Sequence, residues 1–116
     1  MAERNMDMKK CPMPVQDPDV RNKNFDEVAL GYTYDMAVNE ARRCLNCPKK
    51  PCQSACPVQI DIPAFIERVA NEDMDGAFEI LSKSTSLPAV CGRVCPQENQ
   101  CEGKCVRGIK GEAVGI

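Results

Sequence analysis

Four cysteines crowd one short stretch, Cys44-Leu-Asn-Cys47-Pro-Lys-Lys-Pro-Cys52-Gln-Ser-Ala-Cys56-Pro57, spaced C-x2-C-x4-C-x3-C-P. A second run follows at Cys91-Gly-Arg-Val-Cys95-Pro96, with Cys101 and Cys105 behind it. Of the nine cysteines only Cys11 stands outside these runs. Pro48, Pro51 and Pro57 interrupt regular structure within the first run. A stretch of this kind must fold as a loop that presents its thiols, and the rest of the chain must serve as the scaffold that holds them.

Such a scaffold has little else to rely on. A chain of 116 residues suits one small domain, and three Phe, two Tyr and no Trp make a thin apolar core. Small domains of this kind are commonly stapled. Disulfides fit poorly: the count of cysteines is odd, and the polar start Met1-Ala-Glu-Arg-Asn carries no signal-peptide core, so a cytoplasmic chain with reduced thiols is expected. The absence of His leaves only all-cysteine zinc among the zinc sites. Net charge is −2 with both signs interspersed, which gives no basic footprint for nucleic acid. No run is long enough to span a membrane.

The spacing points to iron–sulfur ligation. In two-cluster bacterial ferredoxins the run is C-x2-C-x2-C-x3-C-P, and its fourth Cys ligates the other cluster. The run at Cys44 keeps that grammar with a wider middle gap. If Cys56 leaves for a second cluster, the second run must return a ligand, and Cys105 is the natural choice. One [4Fe–4S] cluster then takes Cys44, Cys47, Cys52 and Cys105, and a second takes Cys56, Cys95 and Cys101. The fourth ligand of the second stays open between Cys91, which would lie a helical turn from Cys95, and a Glu or Gln.

Taken in order, residues 1–23 read as a polar, extended and partly mobile arm, with Cys11 a free thiol unless the arm folds back to make it a cluster ligand. Residues 24–116 read as the cluster domain. Asn24-Phe-Asp-Glu27 resembles a capping box opening a short helix that Gly31 closes. Thr33 caps the next helix, whose apolar spacing runs from Tyr34 to Leu45. Arg42 and Arg43 in its last turn read as a solvated pair matched to the helix dipole. Asp61 caps a helix with Pro63 in its first turn and Ile62, Phe65, Ile66, Val69 and Ala70 on its buried face. Asp73 opens another, burying Met74, Ala77, Phe78 and Leu81. Helices are also expected from Pro88 to near Gly92, and from Pro96 through Cys101 and Cys105. No strand-like alternation persists, so the fold class is all-α, short helices around two loop-bound clusters.

With these residues placed, the chain resembles the N-terminal iron–sulfur domain of the small (beta) subunit of NADPH-dependent glutamate synthase and of related flavin oxidoreductases, including dihydropyrimidine dehydrogenase. The matching stretches are Asn24-Phe-Asp-Glu-Val-Ala-Leu-Gly-Tyr32, Glu40-Ala-Arg-Arg-Cys-Leu-Asn-Cys47, Cys56-Pro-Val-Gln-Ile-Asp-Ile-Pro63 and Leu87-Pro-Ala-Val-Cys-Gly-Arg-Val-Cys-Pro-Gln-Glu98. The resemblance implies an α-helical ferredoxin-like fold, two [4Fe–4S] clusters and the crossed ligand sets. It also implies that the second cluster's fourth ligand is a Glu or Gln downstream of Cys105, at a position just beyond Ile116, that the residue at Cys91 is not a ligand, and that the chain stops short of the next domains. Glu112 is the nearest carboxylate after Cys105. FAD and NADPH belong, on this resemblance, to a C-terminal part outside this chain, since Gly108, Gly111 and Gly115 lack dinucleotide-binding spacing.

The resulting expectation is an electron-transfer module, not catalytic alone. Its partners are the flavin and NADPH domain of the full-length chain and the large glutamate synthase subunit or another redox partner, with no nucleic acid and no membrane. The alternatives are a partner-docking assembly domain with structural clusters, and an all-cysteine zinc domain. Reducible clusters separate the first from the second, and metal analysis separates the third.

Overall fold

The computed structural model describes residues 3–116. Six α-helices run in chain order: α1 Pro18–Arg21, α2 Tyr34–Ala41, α3 Pro51–Ala55, α4 Ile62–Ala70, α5 Met74–Ser82 and α6 Pro88–Val94. Three single 3-10 turns follow at Gln97–Asn99, Glu102–Lys104 and Val106–Gly108. Among the described residues there is no strand, only an isolated antiparallel bridge between Val15 and Ala29. No helix among them is long and apolar enough to cross a membrane.

Local chemistry starts the longer helices. Thr33 Oγ1 accepts from the amide of Met36 at 3.3 Å and opens α2. Asp61 accepts from the Ala64 amide at 3.4 Å above α4, and Asp73 accepts from Gly76 at 2.9 Å above α5. Each cap satisfies an amide that the helix itself leaves orphaned. α4 packs against α5 and α2. The core gathers Ala41, Cys52, Ile60, Ile62, Ile66, Ala70, Cys101 and Val114, with Phe65, Val69 and Leu81 packed against it. Two of the core residues are cysteines, so the thiol sites and the apolar core are one structure.

Four local expectations are corrected. The helix expected from Asn24 does not form. Asn24 Oδ1 instead accepts from the Asp26 amide at 2.9 Å, and the following chain extends, with Gln16 N donating to Val28 O at 2.9 Å and Leu30 N to Pro14 O at 2.8 Å. Phe25, Val28 and Leu30 are all exposed, so a helix there would have nothing to bury against. Gly31 does take a left-handed φ of +82°, but it ends an extended segment. Phe78 is 59% exposed, and α5 turns Ala77 into the core in its place. No helix runs through Cys101 and Cys105, which flank the turn Glu102–Lys104. A Cβ at Gly103 would stand 2.5 Å from the carbonyl oxygen of Glu98, so the backbone folds too tightly there for a continuous helix.

Arg43 is the largest departure. It is 1% exposed, not solvated, and it pairs with Glu40, 2% exposed, at 2.7 Å. Its other donors reach Asp7 O at 3.0 Å and Met8 O at 3.4 Å on the arm, and Glu112 O at 2.7 Å and Ala113 O at 3.1 Å on the tail. Glu40 completes the grip by accepting from Cys11 N at 2.8 Å and Gly115 N at 2.8 Å. One buried ion pair thus clips both chain ends onto the C-terminal end of α2. A buried pair of this kind is tolerable only because its remaining hydrogen-bonding capacity is filled.

Candidate metal centre

Two cavities collect the cysteines of the two runs. The first is small, about 20 Å³, and is lined by Cys44, Cys47, Cys52 and Cys105 among Ile62, Ile66, Val114, Ile116 and Arg107. The second is larger, about 220 Å³, and is lined by Cys56, Cys91, Cys95 and Cys101 among Ile60, Phe65, Leu81 and Pro88. Ile62 and Ile116 line both. Cys11 lines neither; its amide is held by Glu40 and its carbonyl by the Tyr32 hydroxyl at 2.6 Å.

The first cavity is shaped by a folded-back loop. Cys44 follows the end of α2, and its sulfur accepts from the Asn46 amide at 3.4 Å. Asn46 and Lys50 both take left-handed φ, 51° and 45°, which is costly for residues with a side chain and reverses the chain between Cys44 and α3. Lys50 is then pinned by Asp61 at 2.8 Å, so the acid that caps α4 also ties down the cysteine loop. Pro51 starts α3, which carries Cys52 into the core. Cys105 arrives from the opposite end of the chain, just after the turn Glu102–Lys104.

The second cavity is assembled from separated pieces. Cys56 ends α3 in an extended conformation, and a left-handed Gln59 with φ 57° returns its side-chain amide to the Cys56 carbonyl at 3.1 Å. Cys91 lies within α6 and Cys95 terminates it, the Cys95 amide donating to the Cys91 carbonyl at 3.1 Å. Thr85 Oγ1 stands 3.7 Å from Cys91 Sγ and accepts from the Leu87 amide, which leaves the hydroxyl proton free to point at the thiol.

The electrostatics of the thiols follow from burial. Burial pushes Cys44 and Cys52 upward, partly offset at Cys44 by the Asn46 amide. Burial also pushes Cys101 up to about 11 and raises Cys95, where Cys91 adds to the effect. These are thiols at neutral pH, so a metal that binds them must displace protons. Each cavity presents four sulfurs and no carboxylate, a soft donor set suited to iron–sulfur or zinc and not to hard cations. Among the described residues no three of His, Cys, Asp or Glu converge tightly enough to hold a single metal ion. The thiols wall cavities and do not meet at a point.

The structure therefore brings Cys44, Cys47, Cys52 and Cys105 together, and Cys56, Cys95 and Cys101 together with Cys91. Glu112 lines neither cavity; its carboxylate accepts from the Lys10 amide at 2.7 Å. Sequence reasoning missed the Glu40–Arg43 pair, Arg107 on the first cavity wall and the Tyr32 anchor. The i,i+3 spacing of Glu40 and Arg43 was the one visible signal. Arg42 differs from its neighbour: it lines a 60 Å³ cavity beside Cys44, with its Nε buried and unpartnered among the described residues.

Comparison with known proteins adds the family. The family model described as dihydropyrimidine dehydrogenase domain II, 4Fe-4S cluster, matches residues 21–116. The NADPH glutamate synthase small chain of Halomonas elongata is 39% identical over 111 residues, covering 90% of this chain and 24% of that protein. The NAD-dependent dihydropyrimidine dehydrogenase subunit PreT of Salmonella typhimurium is 43% identical over 83 residues, covering 72% of this chain and 20% of that protein. The NADPH glutamate synthase small chain of Azospirillum brasilense is 34% identical over 86 residues, 74% of this chain and 18% of that protein. The chain thus spans less than a quarter of the length of these curated relatives.

Proposed function

This chain belongs to the dihydropyrimidine dehydrogenase domain II 4Fe-4S cluster family, and on that premise we propose that it is an electron-transfer module holding two [4Fe–4S] clusters. Residues 24–116 form the cluster domain in this reading, and residues 1–23 an arm laid over it. The observation that carries the proposal is the sorting of eight thiols into two cavities of four, with Ile62 and Ile116 lining both. Four sulfurs spread over a cavity wall suit a polyatomic cluster better than a single zinc ion, which draws its ligands in to about 2.3 Å.

Cys44, Cys47, Cys52 and Cys105 hold the first cluster, and Cys56, Cys95 and Cys101 hold three corners of the second. Its fourth corner falls either to Cys91, which lines the same cavity, or to a Glu or Gln following Ile116, a residue that lines the cavity as well. When bound, such clusters accept and release single electrons. The chain's own part is ligation, exclusion of water by Ile60, Ile62, Ile66, Phe65 and Val114, and hydrogen bonding to sulfur from the Asn46 amide.

In a longer protein the module links a flavin and NADPH domain of the same chain to a further redox centre. The final substrates belong to the glutamate synthase or dihydropyrimidine dehydrogenase class, and the setting is the cytoplasm. The test is anaerobic purification with iron and sulfide analysis, then EPR before and after dithionite reduction. About eight irons per chain and two reducible signals are expected for two cubane clusters. A colourless protein with stoichiometric zinc, or clusters that dithionite leaves unchanged, would sink the electron-transfer reading.

A further inference from the structure

We infer that Arg107, aimed by the N-terminal arm, makes the first site the stronger electron acceptor of the two, so that a single electron entering the module rests on the Cys44–Cys105 side. The inference builds on the two-cluster reading and assigns the order within it.

The two cavities differ in charge. Arg107 lines the first, and no charged side chain lines the second. Adding an electron to a cluster adds negative charge. Within a poorly polarisable interior that charge is favoured beside a cation and disfavoured among apolar walls. Donors to sulfur occur at both sites, Asn46 N to Cys44 Sγ at 3.4 Å in the first and the Glu102 amide to Cys101 in the second, so the difference rests on Arg107.

Arg107 has no ion-pair partner within 4.0 Å among the described residues, whose ion pairs are Lys10–Glu102, Arg43–Glu40, Lys50–Asp61, Arg68–Asp73 and Arg93–Glu27. Arg43 is nearer the core but is cancelled by Glu40 at 2.7 Å. The side chain of Arg107 is held by a neutral group, the carbonyl of Asp7 on the arm. That same carbonyl accepts from Arg43 Nε at 3.0 Å. The Asp7 peptide is in turn fixed by Asn5 N on Arg42 O at 3.0 Å and by Lys9 N on Asp7 Oδ1 at 3.1 Å. Residues 5–9 of the arm are therefore positioning residues for Arg107, acting through it on the first site.

The experiment is a potentiometric EPR titration of the cluster-loaded chain and of Arg107→Gln and Arg107→Lys, with iron content measured first. Two one-electron waves are expected. Arg107→Gln lowers the more positive wave by a factor of about ten in equilibrium constant, about 59 mV for a one-electron couple, and leaves the other in place. Arg107→Lys retains most of the original value, because the charge is kept. Site variants give an independent reading that does not depend on Arg107: Cys95→Ser leaves the more positive wave and Cys47→Ser leaves the more negative one. The inference is overturned by full iron content with Arg107→Gln moving the lower wave or neither, or by the reverse assignment in the Cys variants. Wild-type iron far below about eight per chain instead overturns the two-cluster reading, and the inference with it.

Discussion

The two cavities are built from opposite kinds of structure. The first leans on α2, α3 and α4, helices that all bury residues and two of which have side-chain caps, and on a buried ion pair that clips both chain ends beside it. The second is walled on one side by α6 and the turn Gln97–Asn99, neither of which buries a single residue. In residues 83–116 only Cys101 and Val114 are buried, and both lie outside those elements. The contrast teaches where each site draws its order. The first is a pocket that ordinary side-chain packing specifies. The second draws Cys91 and Cys95 from a helix that buries nothing, and on the two-cluster reading ligation would contribute there the cohesion that apolar burial does not.

Metal removal probes that contrast most strongly. Ligand binding of this kind is coupled to folding and worth on the order of 10 kcal/mol. Stripping the iron with a chelator is expected to release residues 88–101 while α2, α4 and α5 keep their structure. Amide hydrogen exchange by mass spectrometry reads it directly. Near-complete loss of protection in 88–101 with retained protection in 34–41 and 62–82 is the expected pattern, and uniform loss across the chain would erase the difference between the two regions.

The buried clip is the next largest effect and belongs to the first region alone. Glu40→Ala leaves Arg43 charged and unpaired in the core, at a cost of about 3–5 kcal/mol. Calorimetry should show a melting temperature lower by roughly 10 °C or more. Replacing both, Glu40→Ala with Arg43→Met, should recover part of that loss, since an apolar substitute removes the stranded charge. A double variant no better than the single one would mean that the hydrogen bonds to Asp7, Glu112 and Gly115, and not the charge balance, carry the cost.

What could be read from the sequence divides along the same line. Thr33, Asp61 and Asp73 act on amides three residues ahead, so α2, α4 and α5 and their caps were visible in short windows. The cysteine spacing was equally local. Arg43 was misjudged because its partners on the tail lie 69 and 70 positions away. No periodicity in α2 reports that two chain ends will cover its last turn. Phe78 and the segment after Asn24 failed for a related reason: helical spacing and capping say which face could be buried, but only the tertiary arrangement decides whether anything stands against it. Arg107 carried no signal at all, because its role depends on a carbonyl of the arm.

Matched truncations sharpen the comparison at the level of one side chain. Ile66 in α4 is 4% exposed, and Ile66→Ala should cost about 2–5 kcal/mol. Val90 in α6 is 49% exposed, and Val90→Ala should stay within about 0.5 kcal/mol. Urea midpoints of the two variants measure the difference. Comparable losses would show that α6 is packed in solution and that the second region is not the weaker one.

The smallest effect concerns the arm over the first region. Tyr32 donates to the Cys11 carbonyl at 2.6 Å, and a Cβ on Gly115 would fall 2.6 Å from its hydroxyl. Burial, reinforced by Glu40, raises its phenol from 10.0 to about 12. A group whose pKa rises on folding is held in its protonated form by the fold. Its contribution is therefore complete below pH 10, where the unfolded phenol is still neutral, and is lost as pH climbs through about 12. Tyr32→Phe forfeits that hydrogen bond, about 1 kcal/mol, at neutral pH. The stability gap between wild type and Tyr32→Phe should then hold steady up to pH 10 and shrink between 10 and 12. Subtracting the two denaturation curves cancels the lysines and the other tyrosine that titrate in the same range. A gap that stays constant across that window would mean that the phenol is as free in the folded chain as in the unfolded one, and that the arm is not fastened at Cys11.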